Sequence, residues 1–457
     1  LNEIALSPRS RNINFMERKN NKIFKNSVFK NLKEFWTLFY DFLFIIGFIF
    51  YLPFYFLRKK ITVSSLFKKI GFFPFALNQS IWIHAVSVGE VHLIEPIVDK
   101  LVGSLNYSIV ISTTTLTGNR VAAKKYQKFA KIIYFPLDIS FIIKRFLKKI
   151  NPIIVIAAET ELWPNFILCL RKKNIPFLII NGRISDQAFR RYQSIRPFMK
   201  KILSGCSRIG VQNKKYQKRF IDLGAEPGKV LITGNLKFNS IRPEKKIVEE
   251  IKKKYNTILK PGNKDLFLAA STHDPEEKII LSIYKELYLR YNLSLLIAPR
   301  HPERAASIEK NILAEGFRPI RISKANQLSY EKNDVFVLDS VGQLLYFYSI
   351  CDICFVGGTL SGSGGHNILE PVYFLKPVIF GPSMENFSDI ALKVLESSAG
   401  IQVESFQQLK EELRILLENK NKRIDYANAA TDVFKKEDSL GQNFKMILEE
   451  IKGIYEK

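Results

Sequence analysis

Short apolar segments rich in β-branched residues recur along the chain from residue 80 onward, and each one ends in small or polar residues. Helix-like stretches such as 118–128 and 141–150 separate them. In the first half the apolar segments lie at 80–86, 107–113, 152–159, 176–182 and 208–213. Parallel strands that are buried on both faces and connected by crossover helices have this pattern. The sequence therefore predicts a doubly wound α/β domain.

A polar, proline-containing stretch at 240–246 separates this set from a second one. The apolar segments of the second set lie at 265–272, 293–301, 334–340, 352–359 and 377–383. A chain of 457 residues is also too long for one ordinary core. We expect two Rossmann-like domains, at 61–239 and 247–420, and a helical tail at 421–457. Ligands are expected in a cleft between the domains, at the carboxyl ends of the strands.

Residues 35–57 form an apolar, aromatic-rich segment with one charged residue, Asp41. Its length is sufficient to cross about 30 Å of hydrocarbon, and aromatic residues near its ends are typical of membrane interfaces. Asp41 and Pro53 fit equally well with a helix that lies in the interface. Basic residues flank both sides and leave the orientation open. We expect residues 1–60 to form an N-terminal tail and membrane anchor, with a buried soluble helix as the alternative and Met16 as a second candidate start.

The chain is strongly basic, with 69 Lys and Arg against 43 Asp and Glu and a net charge of +26. Such an excess indicates an anionic partner, which could be nucleic acid, an anionic membrane surface or a phosphorylated substrate, although biased genome composition is an alternative cause. Cys351 and Cys354 lie in an apolar, strand-like run at 348–356. Residues three apart on a strand face opposite sides, so we predict no metal or redox site there. Free thiols fit a reducing compartment.

Residues 356–370, VGGTLSGSGGHNILE, combine a strand end with a glycine-rich loop and a helix predicted to open near His366 and Asn367. The last two glycines of this loop are Gly364 and Gly365. Glycines allow the backbone to approach a phosphate, and a helix N-terminus offers unpaired N–H groups. Glu370 could bind ribose hydroxyls. The alternative is an ordinary tight turn.

Four further residues are candidates for binding an anionic ligand. Arg300 and His301 end one strand of the second half, and Ser271 ends the strand before it. Arginine binds phosphate or carboxylate groups through two hydrogen bonds. Lys237, near the junction of the two halves, is a cation suited to the same role. A surface salt bridge for Arg300 and a core position for His301 are the alternatives.

Carboxylates follow two strands of the first half. Ser87, Gly89 and Glu90 come directly after the first strand, and a carboxylate on a glycine turn could serve as a general base for a hydroxyl. Glu90 could instead only stabilise a helix start. Glu159 and Glu161 end another strand and are expected to face the same cleft, either as acid/base groups or to bind a basic partner.

Ten motifs of this chain, in the same order, resemble those of the Kdo transferase family, the 3-deoxy-D-manno-octulosonic acid transferases of lipopolysaccharide synthesis. They cover about residues 80–390 and read WIHAVSVGEV, STTTLTG, YFPLD, ETELWPN, NGRISD, GNLKFN, STHDPEE, APRHPER, FVGGTLSGSGGHNILEP and FGPSMENF. The N-terminal hydrophobic segment also matches. Two positions depart from the family pattern, because Asn239 stands where Asp is usual and Gln343 where Glu is usual.

The resemblance implies a GT-B fold and inverting transfer of Kdo from CMP-Kdo to a lipid A precursor, lipid IVA, without a metal or another cofactor. Glu90 would be the catalytic base. Acceptor binding or transition-state support would come from Ser87, Gly89, Glu159 and Glu161. The donor would be bound by Lys237, Ser271, Arg300, His301, Gly364, Gly365, Asn367 and Glu370.

The same resemblance implies a protein of the bacterial inner membrane, with its catalytic domains on the cytoplasmic side and an anionic membrane surface as a partner. One rival is a GT-B glycosyltransferase with another donor, such as UDP-N-acetylglucosamine. The other is a basic nucleic-acid-binding protein, for which interleaved aromatics and a basic groove are expected. The motifs here are rich in glycine and carboxylates, so we expect no nucleic acid partner. The number of Kdo residues added is left open.

Overall fold

The computed structural model describes residues 40–54, 57, 62–325, 331, 333–435 and 438–456. The chain divides into two compact units. The first extends to Ser240 and also includes the segment from Ser439, and the second is Ile241–Asp438. The chain therefore enters the second unit at the start of the predicted linker.

The first unit contains a seven-stranded parallel sheet in the order β3-β2-β1-β4-β5-β6-β7. Its strands are β1 Ser80–His84, β2 Ser108–Thr113, β3 Ala130–Tyr134, β4 Pro152–Ala158, β5 Phe177–Gly182, β6 Arg208–Val211 and β7 Val230–Ile232. Its helices up to the linker are α1 (residues 40–54), α2 Val63–Lys69, α3 Val88–Leu93, α4 Glu95–Ser104, α5 Leu116–Tyr126, α6 Ser140–Ile150, α7 Pro164–Lys172, α8 Asp186–Ser194, α9 Arg196–Leu203 and α10 Lys214–Asp222.

The second unit contains another seven-stranded parallel sheet, in the order β10-β11-β9-β8-β12-β13-β14. Its strands are β8 Asp265–Thr272, β9 Leu293–Pro299, β10 Arg318–Arg321, β11 Asp334–Val337, β12 Ile353–Val356, β13 Val378–Phe380 and β14 Ile401–Gln402. Its helices are α11 Lys245–Leu259, α12 Glu276–Leu287, α13 Ala305–Ala314, α14 Leu344–Phe347, α15 Leu369–Tyr373, α16 Ser388–Glu396, α17 Phe406–Glu418 and α18 Lys420–Lys435. The prediction of two parallel α/β units is confirmed.

Helix α6 shows how the sequence pattern produces this packing. Its buried residues recur at intervals of three and four, so that they form one apolar stripe: Ile142, Ile143, Phe146, Leu147 and Ile150. Trp82 on β1 is fully buried and lies beside Phe146, with ring centroids 6.2 Å apart. Asn151, in the left-handed conformation, ends the helix and turns the chain into β4. Apolar burial thus joins the crossover helix to the sheet.

The predicted C-terminal tail is shared between the two units. Helix α18 belongs to the second unit, whereas α19, Ser439–Tyr455, packs against α4 and β6 of the first. Ser439 Oγ lies 2.6 Å from Asn239 Oδ1 and 3.0 Å from the Asn235 carbonyl oxygen. Asn239, which departs from the family pattern, therefore contacts the returning helix.

The predicted strand-like run at 348–356 is wrong at its start. Strand β12 begins only at Ile353, and Cys351 lies before it, with its thiol 3.5 Å from the Tyr348 carbonyl oxygen. Both cysteines are buried, and burial raises the pKa of Cys351 to about 12. The apolar run extends beyond the strand because the preceding helical turn is buried as well.

Helix α1 is attached to the first unit by a buried polar cluster. Asp41 Oδ1 accepts hydrogen bonds from the Ser140 N–H at 3.0 Å and from Asn165 Nδ2 at 2.6 Å. Tyr40 donates to Asp138 at 3.0 Å. Asp138 also accepts the backbone N–H groups of Asn165 and Phe166 at the start of α7, and burial raises its pKa to about 6. Asp41 thus fixes one end of α1 to the starts of α6 and α7.

The predicted membrane segment is only partly described, because 35–39 and 55–56 lie outside the described residues. No helix within the described ranges combines the length and the apolar character that crossing a membrane requires. Phe44 and Ile45 of α1 pack against the core of the first unit. The opposite face carries exposed apolar side chains, among them Phe42, Leu43, Ile49 and Phe50.

Asp41→Leu is expected to destabilise the first unit by about 1–3 kcal/mol, since the Ser140 N–H and an Asn165 amide hydrogen lose their acceptor. Asp41→Asn is the matched control because its Oδ1 can still accept both hydrogen bonds. Thermal unfolding of the full chain, with hydrogen exchange of residues 41–54, measures the effect. Equal melting temperatures for the two variants would show that the cluster does not hold the helix.

Candidate functional site

Each sheet is built outward from its first strand, first on one side and then on the other. The topological switch point is the place beside the first strand where the strand order reverses. In the first unit this point lies between β1 and β4, and in the second between β8 and β12. Ligands of open α/β sheets bind outside the carboxyl ends of the strands at such points. The segments that follow these four strands contain most of the predicted site residues.

Glu90 lies in the first turn of α3, directly after β1. The expectation that it lies on a glycine turn is wrong, because Gly89 is itself helical. The Glu90 carboxylate folds back over the helix start and accepts the Val86 N–H at 2.8 Å and the Ser87 hydroxyl at 3.1 Å. Gly89 is exposed, and apart from its chain neighbours the atom nearest to the position of a Cβ there is Ser87 Oγ at 3.9 Å. The surrounding atoms therefore leave room for a side chain at this position.

The environment of Glu90 favours its protonated form. The pKa of Glu90 is raised to about 7, chiefly by burial and also by the negative charges of Glu159 and Glu161, although the hydrogen bonds from Val86 and Ser87 oppose the shift. These electrostatic interactions show that the carboxylates after β1 and β4 lie near one another. The structure therefore brings together the three acidic residues that the sequence predicted.

Glu159 and Glu161 are held by different partners. The Arg183 guanidinium lies 3.3 Å from Glu159 Oε2, and the Trp163 indole donates to Glu161 at 2.9 Å. Burial also raises the pKa of Glu161 to about 7. Glu159 has a φ of 56°, in the left-handed region that is uncommon for a residue with a side chain. Strained backbone of this kind clusters at functional sites.

In the second unit, Ser271 at the end of β8 also has a left-handed backbone, with a φ of 52°. The exposed Arg300 follows β9, and its backbone N–H donates to the Thr272 carbonyl. Burial and, after it, the Arg300 charge lower the pKa of His366, and at Glu370 the Arg300 charge opposes the rise in pKa that burial causes. His301 is exposed, with Nδ1 3.3 Å from a Glu303 carboxylate oxygen.

The glycine-rich loop enters its helix later than predicted. Helix α15 begins at Leu369, not near His366, and has only five residues. Asn367 lies before the helix and accepts the Leu369 N–H at 3.1 Å. Asn367 also donates to Glu370 at 3.0 Å. Burial raises the pKa of Glu370 to about 7. The two side chains therefore orient each other beside Arg300.

Gly364 and Gly365 are required by close packing. Their φ angles are 81° and 73°. A Cβ on Gly364 would lie 2.6 Å from Asn386 Nδ2, and one on Gly365 would lie 2.6 Å from Met384 Sδ. Close contact with the 383–386 segment explains these two glycines without a ligand.

Lys237 lies in a short 3-10 helix, Leu236–Asn239, of the first unit. It is thus on a different unit from the other predicted donor residues.

Gln343, which departs from the family pattern, accepts a hydrogen bond from Ser340 at 2.9 Å, at the start of α14.

Sequence analysis missed two residues that organise the second unit's loops. Glu276 is fully buried and accepts the backbone N–H groups of Gly358, at 2.9 Å, and His273, at 3.0 Å, which connects the segments after β8 and β12. The fully buried Glu277 binds Arg304 at 2.8 Å. Both belong to the motif STHDPEE, but the pattern of apolar and polar residues along the sequence did not indicate that they are buried.

Glu90→Gln is expected to raise the melting temperature at pH 8. The folded pKa of Glu90, about 7, exceeds the ordinary value of 4.5, so its ionisation destabilises the fold as the pH rises through this range. Gln can accept the Val86 N–H and donate to Ser87 without titrating. The gain should vanish below pH 5 and be absent in Glu95→Gln, whose native carboxylate pairs with Lys125 at the surface. A gain of the same size at both pH values would contradict this explanation.

Comparison with known proteins supports the family resemblance. Residues 64–240 match the family model described as 3-deoxy-D-manno-octulosonic-acid transferase (kdotransferase). The chain is 38% identical to a 3-deoxy-D-manno-octulosonic acid transferase of Haemophilus influenzae over 78% of this chain and 83% of that protein. It is also 38% identical to a bifunctional glycosyltransferase/methyltransferase of Fusobacterium nucleatum over 83% of this chain, but spans only 59% of that longer protein.

A solved glycosyltransferase structure from Rickettsia africae has the same fold, with a TM-score of 0.53 and 16% identity over 84% of this chain and 99% of that one. At this identity the likeness concerns the fold alone. The H. influenzae relative, by contrast, is matched over most of both chains. The chain therefore belongs to the 3-deoxy-D-manno-octulosonic acid transferase family, glycosyltransferases that transfer Kdo in lipopolysaccharide synthesis.

Proposed function

We propose that this protein transfers Kdo from CMP-Kdo to a hydroxyl of a lipid A precursor, lipid IVA, with inversion and with Glu90 as the general base. The observation that carries this proposal is the position of Glu90 at the switch point of the first unit, beside two other carboxylates. A base is most effective when its pKa lies near the working pH. The raised pKa of Glu90, about 7, meets this condition.

The proposed reaction is a single displacement. The acceptor hydroxyl attacks the anomeric carbon of Kdo while Glu90 takes its proton, and the bond between that carbon and the phosphate oxygen breaks. The electron pair of this bond stays on the phosphate. The Val86 N–H and the Ser87 hydroxyl fix the direction of the carboxylate, and each carboxylate oxygen retains a further lone pair for the proton.

Glu159 and Glu161 are proposed to support the acceptor. Carboxyl groups accept hydrogen bonds from sugar hydroxyls. The charges of both residues also raise the pKa of Glu90, which makes Glu90 a stronger base. Gly89 leaves the surface of α3 open beside the base.

The donor is proposed to bind the second unit through Ser271, His301, Gly364, Gly365 and the group formed by Arg300, Asn367 and Glu370. Arg300 would neutralise the donor's anionic groups. The Asn367–Glu370 pair presents a carboxylate that can accept hydrogen bonds from ribose hydroxyls. These contacts need no metal, so we propose transfer without a cofactor.

Incubation of the purified protein with CMP-Kdo and lipid IVA, followed by mass spectrometry, tests this function and counts the Kdo residues added. We expect Glu90→Gln to lower turnover by about 10²–10⁴-fold while CMP-Kdo affinity changes little, since a positioned base contributes that much. Glu95→Gln is the control and should retain turnover. Near wild-type turnover of Glu90→Gln would reject the base assignment, and transfer only from UDP-N-acetylglucosamine would reject the donor.

We also propose that the first unit binds the anionic cytoplasmic face of the bacterial inner membrane. Apolar side chains of α1 and α2 are exposed on it, including Phe42, Phe50, Val63 and Phe67, and so is Leu57 between the two helices. Arg145 lies 4.3 Å from the ring of the exposed Phe72, and Lys149 lies 4.7 Å from that of Phe73. Exposed aromatic rings with neighbouring cations suit a bilayer of anionic lipid, in which the rings enter the headgroup layer and the cations bind phosphates.

Phe42→Ser, Phe50→Ser and Phe67→Ser in one variant should lower recovery with vesicles that contain anionic lipid. The reason is that each exposed ring would otherwise enter the interface. Flotation of the full chain measures the effect. Val341→Ser with Leu392→Ser is the control, because these apolar residues are exposed on the second unit. Equal flotation of the two variants would argue against this membrane face.

A further inference from the structure

The segments after β8 and β12 bring two imidazoles together head to head. His273 Nε2 and His366 Nε2 are 2.8 Å apart, the ring centroids are 5.1 Å apart and the ring planes differ by only 4°. These values describe coplanar rings joined edge to edge by an N–H···N hydrogen bond. One Nε2 must therefore carry a proton and the other must be a lone pair, so the two tautomers are coupled.

This imidazole pair, His273 and His366, is supported by Glu276 and by the backbone of Gly358. The backbone N–H of His273 donates to Glu276, which also accepts the backbone N–H of Gly358. A Cβ on Gly358 would lie 3.0 Å from His366 Nε2 and 3.2 Å from His273 Cδ2. The pair thus rests directly on the backbone of Gly358, and a larger residue there would displace it.

The groups around the pair belong to several elements and include an arginine, a third imidazole and two carboxyl groups. Arg300 and His301 face it from the segment after β9, with the His301 ring centroid 6.2 Å from that of His273. The carboxylates nearby are Glu276 of α12 and Glu370 of α15. Burial, followed by the charge of Arg300, lowers the pKa of His366 to about 4. His366 is accordingly neutral at pH 7.

We propose that the imidazole pair contacts the phosphate of the donor nucleotide and takes up one proton when that phosphate gains its second negative charge. The proposal rests on the proposed function. In CMP-Kdo the phosphate is a diester with one negative charge, whereas in the CMP product it is a monoester whose second pKa is about 6. Transfer at neutral pH therefore creates a charge next to Arg300 that the ground state lacks.

The chemistry of the pair suits this change. The histidine that donates through Nε2 has a free lone pair on Nδ1, and a proton can bind there without breaking the hydrogen bond to its neighbour. The bond between the two rings then becomes charge-assisted and stronger. The proton comes from the acid form of the buffer in the surrounding solution, while the acceptor's proton goes to Glu90 and the electron pair of the broken bond stays on the phosphate. Because the added positive charge appears with the phosphate charge, it stabilises the transition state more than the ground state.

Calorimetry of CMP binding to the full chain at pH 7.5, in two buffers of different ionisation enthalpy, measures the protons taken up. We expect uptake approaching one proton per CMP and none for cytidine, which lacks the phosphate. The phosphorus NMR shift of bound CMP should be that of the dianion, which places the proton on the protein. A CMP binding enthalpy that is the same in both buffers would overturn the proposal, as would a protonated bound phosphate.

His273→Asn and His366→Asn should each abolish the uptake and weaken CMP binding about tenfold or more, with cytidine binding unchanged. His92→Asn, on an exposed residue of α3, is the control and should retain both. Uptake that persists in both variants would overturn the proposal. If the variants do not fold, the CMP and cytidine comparison on the wild-type chain still decides. Binding of UMP in place of CMP would reject the proposed donor, and the same titrations with UMP would still test the pair.

Discussion

Buried carboxylates that accept backbone N–H groups organise the loops of both units. Glu90 accepts the Val86 N–H after β1, Asp138 accepts two N–H groups at the start of α7, and Glu276 connects the segments after β8 and β12. Unpaired N–H groups buried at the ends of strands and helices would be costly. A carboxylate satisfies them, but its own charge must then be removed from water. The loops around the candidate site depend on this balance.

The balance between satisfying N–H groups and removing a carboxylate from water gives different pKa values at different positions. Glu90 accepts one backbone N–H and one hydroxyl beside two other carboxylates, and its pKa rises to about 7. Asp138 accepts three donors, but its deep burial still raises its pKa to about 6. A group that is held in place yet readily protonated is a poor stabiliser of the fold and a good candidate for proton transfer. The same property therefore explains both the expected stability gain of Glu90→Gln and its expected loss of turnover.

The polar cluster around Asp41 links the apolar helix α1 to the loop that carries Glu161. Asn165 belongs to α7, which begins directly after Trp163, and its side chain binds Asp41. The aspartate that looked out of place in an apolar segment is thus a docking residue. A hydrogen bond thus connects helix α1 directly to Asn165 at the start of α7, four residues beyond Glu161, within the first unit.

The two parallel α/β units were predictable from the amino-acid sequence, because strands buried on both faces require long apolar runs and crossover helices require a different period. The positions of Glu90, Glu159, Glu161, Arg300 and Glu370 were predictable as well, since polar residues that follow such runs gather at one edge of a sheet. Three features became visible in the folded chain alone: α19 returns to the first unit, α15 begins at Leu369, and Asp41, Glu276 and the His273–His366 pair find partners distant in sequence. Periodicity reports which face of an element is buried, whereas the partner of a buried charge depends on contacts between segments that are far apart along the chain.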